Sequence, residues 1–426
     1  MPDEPMVGEM LVARPRRLTH GPPFPAAFRH VQIALPSAAG VDAHAVAVDL
    51  SEDDDPGLLA STVRRHWWSA DHGQLPVRVA SPRELDDSGE RYLEVHRLEL
   101  IDPAVLSLPG CPLSPVSPDR PHGWVPATVH RLGGEISTGW VPYSLAFPRA
   151  HDTRPDEPLT HPPFLAGIGG GEGAEGSLDD AWASLCAEDG LQTWWVGLAR
   201  PRPWTPATET TRLLADADLE FQWRLLPTPL GGTAILAAVD DGSVVTLGAA
   251  HGPAPDAERL AVARALWQLA LARALDRPED TLHAMGVAGL APHRPDRHYV
   301  PRTLAARRRL QDPLAHLQLA LDPAMRSRVR EHLDDVDAHA PAGAPEVASP
   351  LSRLPQGDAW CVSLGPPESP GLAVRLLVPG AATLPLGAFP PDPDKRIHWI
   401  VGGLPKGDDL AECEPYFGNI AAAYTI

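Results

Sequence analysis

Two carboxylates, Asp180 and Glu188, stand eight residues apart in a stretch that reads as a helix. That spacing separates them by about 80° around the axis, so both can border one face. Ahead of them runs a glycine-rich loop, Gly167-Ile168-Gly169-Gly170-Gly171-Glu172-Gly173-Ala174-Glu175-Gly176. Acids facing such a loop could hold Mg²⁺ and phosphates, because hard cations take oxygen ligands and helix N-termini attract anions. The plainer reading pairs Asp180 with Ser177 in a capping box and leaves Glu188 in solvent. On spacing alone the plainer reading is preferred.

Gly171-x-Gly173-x-x-Gly176 matches the dinucleotide fingerprint literally. The run before it, His161-Pro162-Pro163-Phe164, is a poor buried strand, and no clear strand-ending acid follows the helix. A flexible glycine entry to a helix is expected instead. His293, His298 and His316 come nearest to a metal-ligand set. No two of them share a helical turn with a carboxylate, and Arg294 and Arg297 lie between the first pair, so loop histidines are expected. The sequence has no GxSxG elbow of the kind that positions a catalytic serine.

Composition narrows the classes further. Fifty-five acidic and 36 basic residues give a formal charge of −19 over 426 residues, which repels phosphate backbones and argues against a nucleic-acid partner. Such a surface suits solubility or attraction to a basic partner. Cys111, Cys186, Cys361 and Cys413 are widely separated, with no CxxC spacing, as expected of reduced thiols in a cytoplasm. No apolar run reaches membrane-spanning length, and the N-terminus lacks a signal-peptide pattern. An apolar content of 43% supplies a sizeable core, while 50 prolines point to short strands and long connections.

The elements that must position the acids follow from periodicity. Residues 1–40 read as a Pro-rich arm, or as an edge strand around His30–Leu35. Ala45–Leu50 is a short strand and Leu58 to about Ala70 a helix; Leu75–Val79 and Tyr92–Leu98 read as strands. Strand-like pieces recur at 124–127 and 140–142, and the acid-bearing helix covers about 177–195. Strands follow at 219–226, 232–239 and 243–248, then a helix from Asp256, its expected cap, to Leu275. Residues 303–335 read as helical, 338–357 as a Pro/Ala linker, and 360–364 with 372–378 as a last strand pair. The class is α/β (α+β), mixed sheets with packed helices.

Three stretches taken in order resemble the YcaO family, ATP-dependent enzymes that make azolines, thioamides or amidines in ribosomal peptides. The glycine loop, Leu178-Asp179-Asp180-Ala181, Glu188 and Trp194-Trp195 resemble the family's glycine turn, acidic helix and aromatic ending. Gly248-Ala249-Ala250-His251-Gly252-Pro253, with Arg264-Ala265-Leu266-Trp267-Gln268-Leu269-Ala270-Leu271-Ala272-Arg273, is similar to its following helix. Ala373-Val374-Arg375-Leu376-Leu377-Val378-Pro379-Gly380 is similar to a late strand of the family. The resemblance implies a YcaO-like fold over 41–390, with residues 1–40 as an N-terminal arm and 391–426 as a C-terminal tail. It implies ATP and Mg²⁺ as cofactors if the site is active, held by Ser61, Arg65, Asp180, Glu188 and Arg375, with Asp180 and Glu188 on the metal.

The departures point the other way. In Ser61-Thr62-Val63-Arg64-Arg65-His66-Trp67-Trp68, Arg65 and Trp68 replace two acids of the family pattern. Leu191-Gln192 replaces a Glu-Arg pair, and Gln268 and Leu271 replace Glu and Gln. A triphosphate with two or more Mg²⁺ needs several carboxylates, so no cofactor is expected to turn over here. The expected protein is a degenerate, cytoplasmic scaffold, a homodimer by default, that binds a ribosomal precursor peptide or a partner modification enzyme. An active, divergent cyclodehydratase is the alternative, and an unrelated α/β binding protein the second.

Overall fold

The computed structural model describes residues 6–381, apart from 36–42, 276–292, 300–312, 337–357, 366–370 and shorter breaks of one to four residues. The expected linker at 338–357, the tail at 391–426, and Cys413 and His298 lie outside the described residues. A small ribbon of β1 (Met6–Val7) and β2 (Met10–Leu11) precedes a three-stranded sheet of β3 (Arg16–Leu18), β4 (Phe28–Leu35) and β5 (Ala43–Leu50). β4 pairs with β5 from Phe28↔Leu50 to Leu35↔Ala43 and carries β3 on its other side. It is therefore a central strand, not the edge strand that its proline-rich surroundings suggest. Phe28, His30 and Gln32 alternate inward along it, with Arg29 and Val31 on the opposite, half-buried face.

Helix α1 (Pro56–Trp68) crosses to β6 (Arg78–Ala80) and α2 (Pro82–Asp87), which opens on a Ser81/Glu84 capping box. Tyr92–Leu98, expected as a strand, is instead one bridge at Tyr92↔Trp140 and a 3₁₀ turn at Val95–Leu98. The Arg97 amide closes that turn on the Glu94 carbonyl at 3.0 Å, which takes the backbone out of any ladder. β7 (His122–Arg131) and β8 (Ile136–Pro142) form a hairpin in register Trp124↔Pro142, and α3 (Tyr143–Ala146) follows. Next come β9 (Ile168–Gly169), α4 (Gly173–Trp195), β10 (Arg202–Pro203) and α5 (Thr208–Leu213). β11 (Glu220–Thr228), β12 (Gly232–Asp240) and β13 (Val245–Ala250) lead into α6 (Ala254–Ala274). α7 (Pro313–Ala320), α8 (Pro323–Asp334), β14 (Asp358–Ser363) and β15 (Val374–Leu377) complete the described chain.

The strands join into a four-stranded sheet, β10-β11-β12-β13, and a six-stranded one, β6-β7-β14-β15-β9 with β8 on β7. Every strand pair among the described residues is antiparallel, so the α+β description applies. Helix α4 stitches two cores together. Ala181, Trp182, Leu185 and Cys186 join the cluster of the six-stranded sheet, while Ala187, Leu191, Trp194 and Trp195 join the one between α6 and the four-stranded sheet. A helix apolar on several sides is an interior helix, and α4 is buried almost without interruption from Ala181 onward. Asp256 does not cap α6; Pro253 takes the cap position, and Asp256 in the first turn accepts from Arg259 at 2.6 Å.

Candidate functional site

The glycine loop turns between β9 and α4 with α1 lying against it. A Cβ at Gly170 would stand 2.5 Å from the Ser61 carbonyl oxygen and 2.8 Å from the Arg65 nitrogen, so only glycine lets α1 approach. One at Gly171 would meet the Gly176 carbonyl oxygen at 2.2 Å. These glycines serve close packing. The short strand before them runs antiparallel to β15, which is not the parallel βαβ setting that a dinucleotide fingerprint requires.

α4 begins one turn earlier than its sequence pattern indicates, at Gly173, so Ser177 lies inside the helix and is fully buried. Its hydroxyl donates to the carbonyls of Gly171 (3.2 Å) and Leu372 (3.3 Å), and the expected capping box with Asp180 does not form. Asp180 is thereby released toward α1. Its Oδ2 accepts from the Gly170 amide at 2.9 Å and from the Ser61 hydroxyl at 3.2 Å, and its Oδ1 is 4.0 Å from Arg65 Nη1. Beside it, Arg64 Nε donates to the Gly170 carbonyl at 2.6 Å.

From α6, Arg264 reaches the same place, with Nη1 donating to the Ala249 carbonyl at 2.6 Å. Burial, and then the like charge of Arg65, push its guanidinium down to about 10, against the opposing pull of Asp180 and Glu188. Glu188 is buried, and its charge also supports Arg375. Arg375 has no exposed surface, and its three nitrogens donate to the carbonyls of Leu145 (3.0 Å), Ala166 (2.8 Å) and Phe164 (2.9 Å). Burial pushes it down to about 9. Ser61, Arg65 and Asp180 are thus in mutual reach, Glu188 acts on them through Arg264, and Arg375 is bound into the backbone behind.

Arg64 and Arg264 are the members that sequence reasoning passed over. The Arg64-Arg65 doublet, a break in an apolar helix, was the available signal for the first. Arg264 was visible only as part of a motif. Of the histidine set, His293 and His316 are described. His316 is buried, His293 stacks on Tyr299 at 5.2 Å, and no three His, Cys, Asp or Glu among the described residues gather closely enough for a metal.

No protein-family model matches the chain. The structure of a heterocyclase in complex with substrate and cofactor superposes with a TM-score of 0.57 at 12% identity, over 90% of this chain and 52% of that one. YcaO from Methanopyrus kandleri, bound with AMPPCP and Mg²⁺, superposes with a TM-score of 0.53 at 15% identity, over 93% of this chain and 90% of that one. The chain has a YcaO-like fold. It spans about half the length of the heterocyclase. A separate match is short: 41 residues are 61% identical to the UDP-N-acetylmuramoylalanine–D-glutamate ligase of Sphingopyxis alaskensis, covering 10% of this chain and 9% of the ligase. The Novosphingobium aromaticivorans ligase matches over 47 residues at 62%, or 11% and 10% of the two chains. These matches concern about a tenth of the chain and leave the YcaO-like fold as the frame for the site.

Within that frame the residues do not fit a magnesium triphosphate. Of the two acids at the site, Asp180 is engaged by Gly170 and Ser61 with Arg65 alongside. Trp68, Leu191 and Leu271, which stand at positions polar in the family pattern, are members of the two cores. Gln192 and Gln268 are buried and neutral. Four guanidiniums and two carboxylates make a poor ligand set for divalent cations.

Proposed function

We propose that this YcaO-fold protein is a non-catalytic scaffold or substrate- and partner-binding subunit in the modification of a ribosomally made peptide, working in the cytoplasm. The observation that carries the reading is Asp180: its Oδ2 accepts from the Gly170 amide and the Ser61 hydroxyl, and the Arg65 guanidinium stands 4.0 Å from its Oδ1, where its charge opposes a metal cation. The heterocyclase and YcaO neighbours support peptide modification as the setting. A net charge of −19 favours a basic partner or peptide segment. Among the described residues no helix is long and apolar enough to cross a membrane.

The second reading is an active, divergent cyclodehydratase using ATP and Mg²⁺. It draws on Asp180 and Glu188 both acting on Arg264, and on the 29% exposure of the Asp180 side chain. Calorimetry of AMPPCP with and without Mg²⁺ separates the two. The scaffold reading expects no magnesium-dependent binding. Tight Mg²⁺-dependent binding that Glu188→Gln abolishes would overturn the scaffold reading.

A further inference from the structure

We infer that the arginine-lined contact of α1 with the glycine loop and α4 binds a phosphate-class oxyanion directly on its arginines, with no divalent metal. The inference rests on the reading that this site is not a magnesium–nucleotide centre, and it names what the altered site takes instead.

Two buried donors carry it. Arg64 Nη2 and Arg65 Nε lie out of solvent with no hydrogen-bond partner. An unmet donor on a charged group is costly in the interior, and such an atom marks a place where a ligand satisfies the protein. Around them the charges do not balance. Arg64 is countered by the exposed Glu172 and by Asp180, Arg264 by Asp180 and Glu188 against the like charge of Arg65, and Arg375 by Glu188 again, so four guanidiniums share three acids. A guanidinium does not shed its proton under ordinary conditions, so the excess is relieved only by an anion.

The geometry suits an oxyanion. Arg64 is anchored by Nε on Gly170 and Arg264 by Nη1 on Ala249, which fixes both forks before a ligand arrives. Planar guanidinium forks match the oxygens of phosphate in bidentate fashion. Access exists at Asp180, whose side chain is 29% exposed against 13% for Arg65. A divalent cation in the same place would meet these guanidiniums first.

The test is calorimetry on the full chain with inorganic pyrophosphate and, separately, AMPPCP, each in EDTA and in MgCl₂ at low chloride. Both are expected to bind in EDTA, with magnesium leaving the affinity unchanged or lower. Arg65→Gln is expected to weaken pyrophosphate about tenfold, the loss of one charge-assisted fork. Arg64→Lys, which keeps the charge and removes the fork, gives the same direction if Arg65→Gln does not fold. Equal affinity for the two probes assigns the site to a free phosphate group and tighter AMPPCP to a nucleotide; both sustain the inference. No binding in EDTA or in MgCl₂ overturns it and leaves the scaffold reading standing. AMPPCP binding that requires magnesium overturns both. Pyrophosphate binding that neither variant weakens also sinks it.

Discussion

The interior around Arg375 and the site around Arg65 both place a guanidinium near a carboxylate, and they treat it in opposite ways. Arg375 gives each nitrogen a carbonyl of its own, lies 4.3 Å over the Phe164 ring, and has Glu188 as counter-charge. Arg65 has one carboxylate at 4.0 Å and leaves Nε unmet. The first tethers α3 at Leu145 and the loop at 164–166 to β15. The second is unfinished in the free protein. A buried charge that is fully bonded reads as architecture, and one that is not reads as a place for a ligand.

The sharpest way to break this comparison is to remove the finished one. Arg375→Ala leaves three carbonyls without donors and a cavity at the base of β15, and is expected to cost about 4 kcal/mol or more. Urea unfolding measures it. A loss under about 1 kcal/mol would mean that Arg375 is no tether, and the contrast with Arg65 would collapse.

The next effect tests whether the lost acids could simply be restored. Leu191 is 3% exposed in the core shared by α4 and α6. Leu191→Glu places a carboxylate there and is expected to destabilise by about 3 kcal/mol without creating Mg²⁺-dependent AMPPCP binding. Gain of such binding would show that the core at α4 still yields to a metal site.

How much of this was legible beforehand differs between the two regions. The helices carrying Asp180 and Arg264, and the strand carrying Arg375, follow from apolar periodicity, because burial enforces a spacing that can be counted. The partner of Asp180 does not. The Ser177-to-Asp180 spacing spells a capping box, yet α4 starts at Gly173 and Asp180 turns to Gly170 and Ser61. That choice depends on α1 docking over Gly170, a contact 106 residues away in sequence from Arg64. The role of Arg375 as a backbone tether was hidden for the same reason, since its acceptors lie 209 to 230 residues away. The sequence around β4 reads as an edge because its neighbour β3 is three residues long and carries two arginines.

Removing the unfinished guanidinium should have a smaller effect of opposite sign. Arg65→Gln relieves the like charge on Arg264 and leaves Gly170 and Ser61 on Asp180. Without added anion, its unfolding free energy is expected to match the wild type or exceed it by up to about 1 kcal/mol. A loss comparable to that of Arg375→Ala would mean that Arg65 is already satisfied where it stands.

The last effect is read as a slope and concerns a third buried base, one that can escape the conflict by staying neutral. His30 has no exposed surface; its Nδ1 is 2.9 Å from His20 Nε2, and its ring meets the Trp267 ring at 4.2 Å. Burial first, and then His20, hold its pKa well below the ordinary 6.5. The unfolded chain therefore binds this proton at a higher pH than the folded protein does. The stability His30 contributes is complete above about 6.5 and is lost as the pH falls below that toward the folded pKa, at no more than about 1.4 kcal/mol per pH unit. Unfolding measured from pH 7 to 5 should show this slope, shared with His122, His130 and His251, whose pKa values burial also lowers. His30→Gln should reduce the slope by up to one proton and leave pyrophosphate affinity untouched. An unchanged slope would mean that His30 takes its proton without unfolding, and burial would then not separate it from the arginines around Asp180.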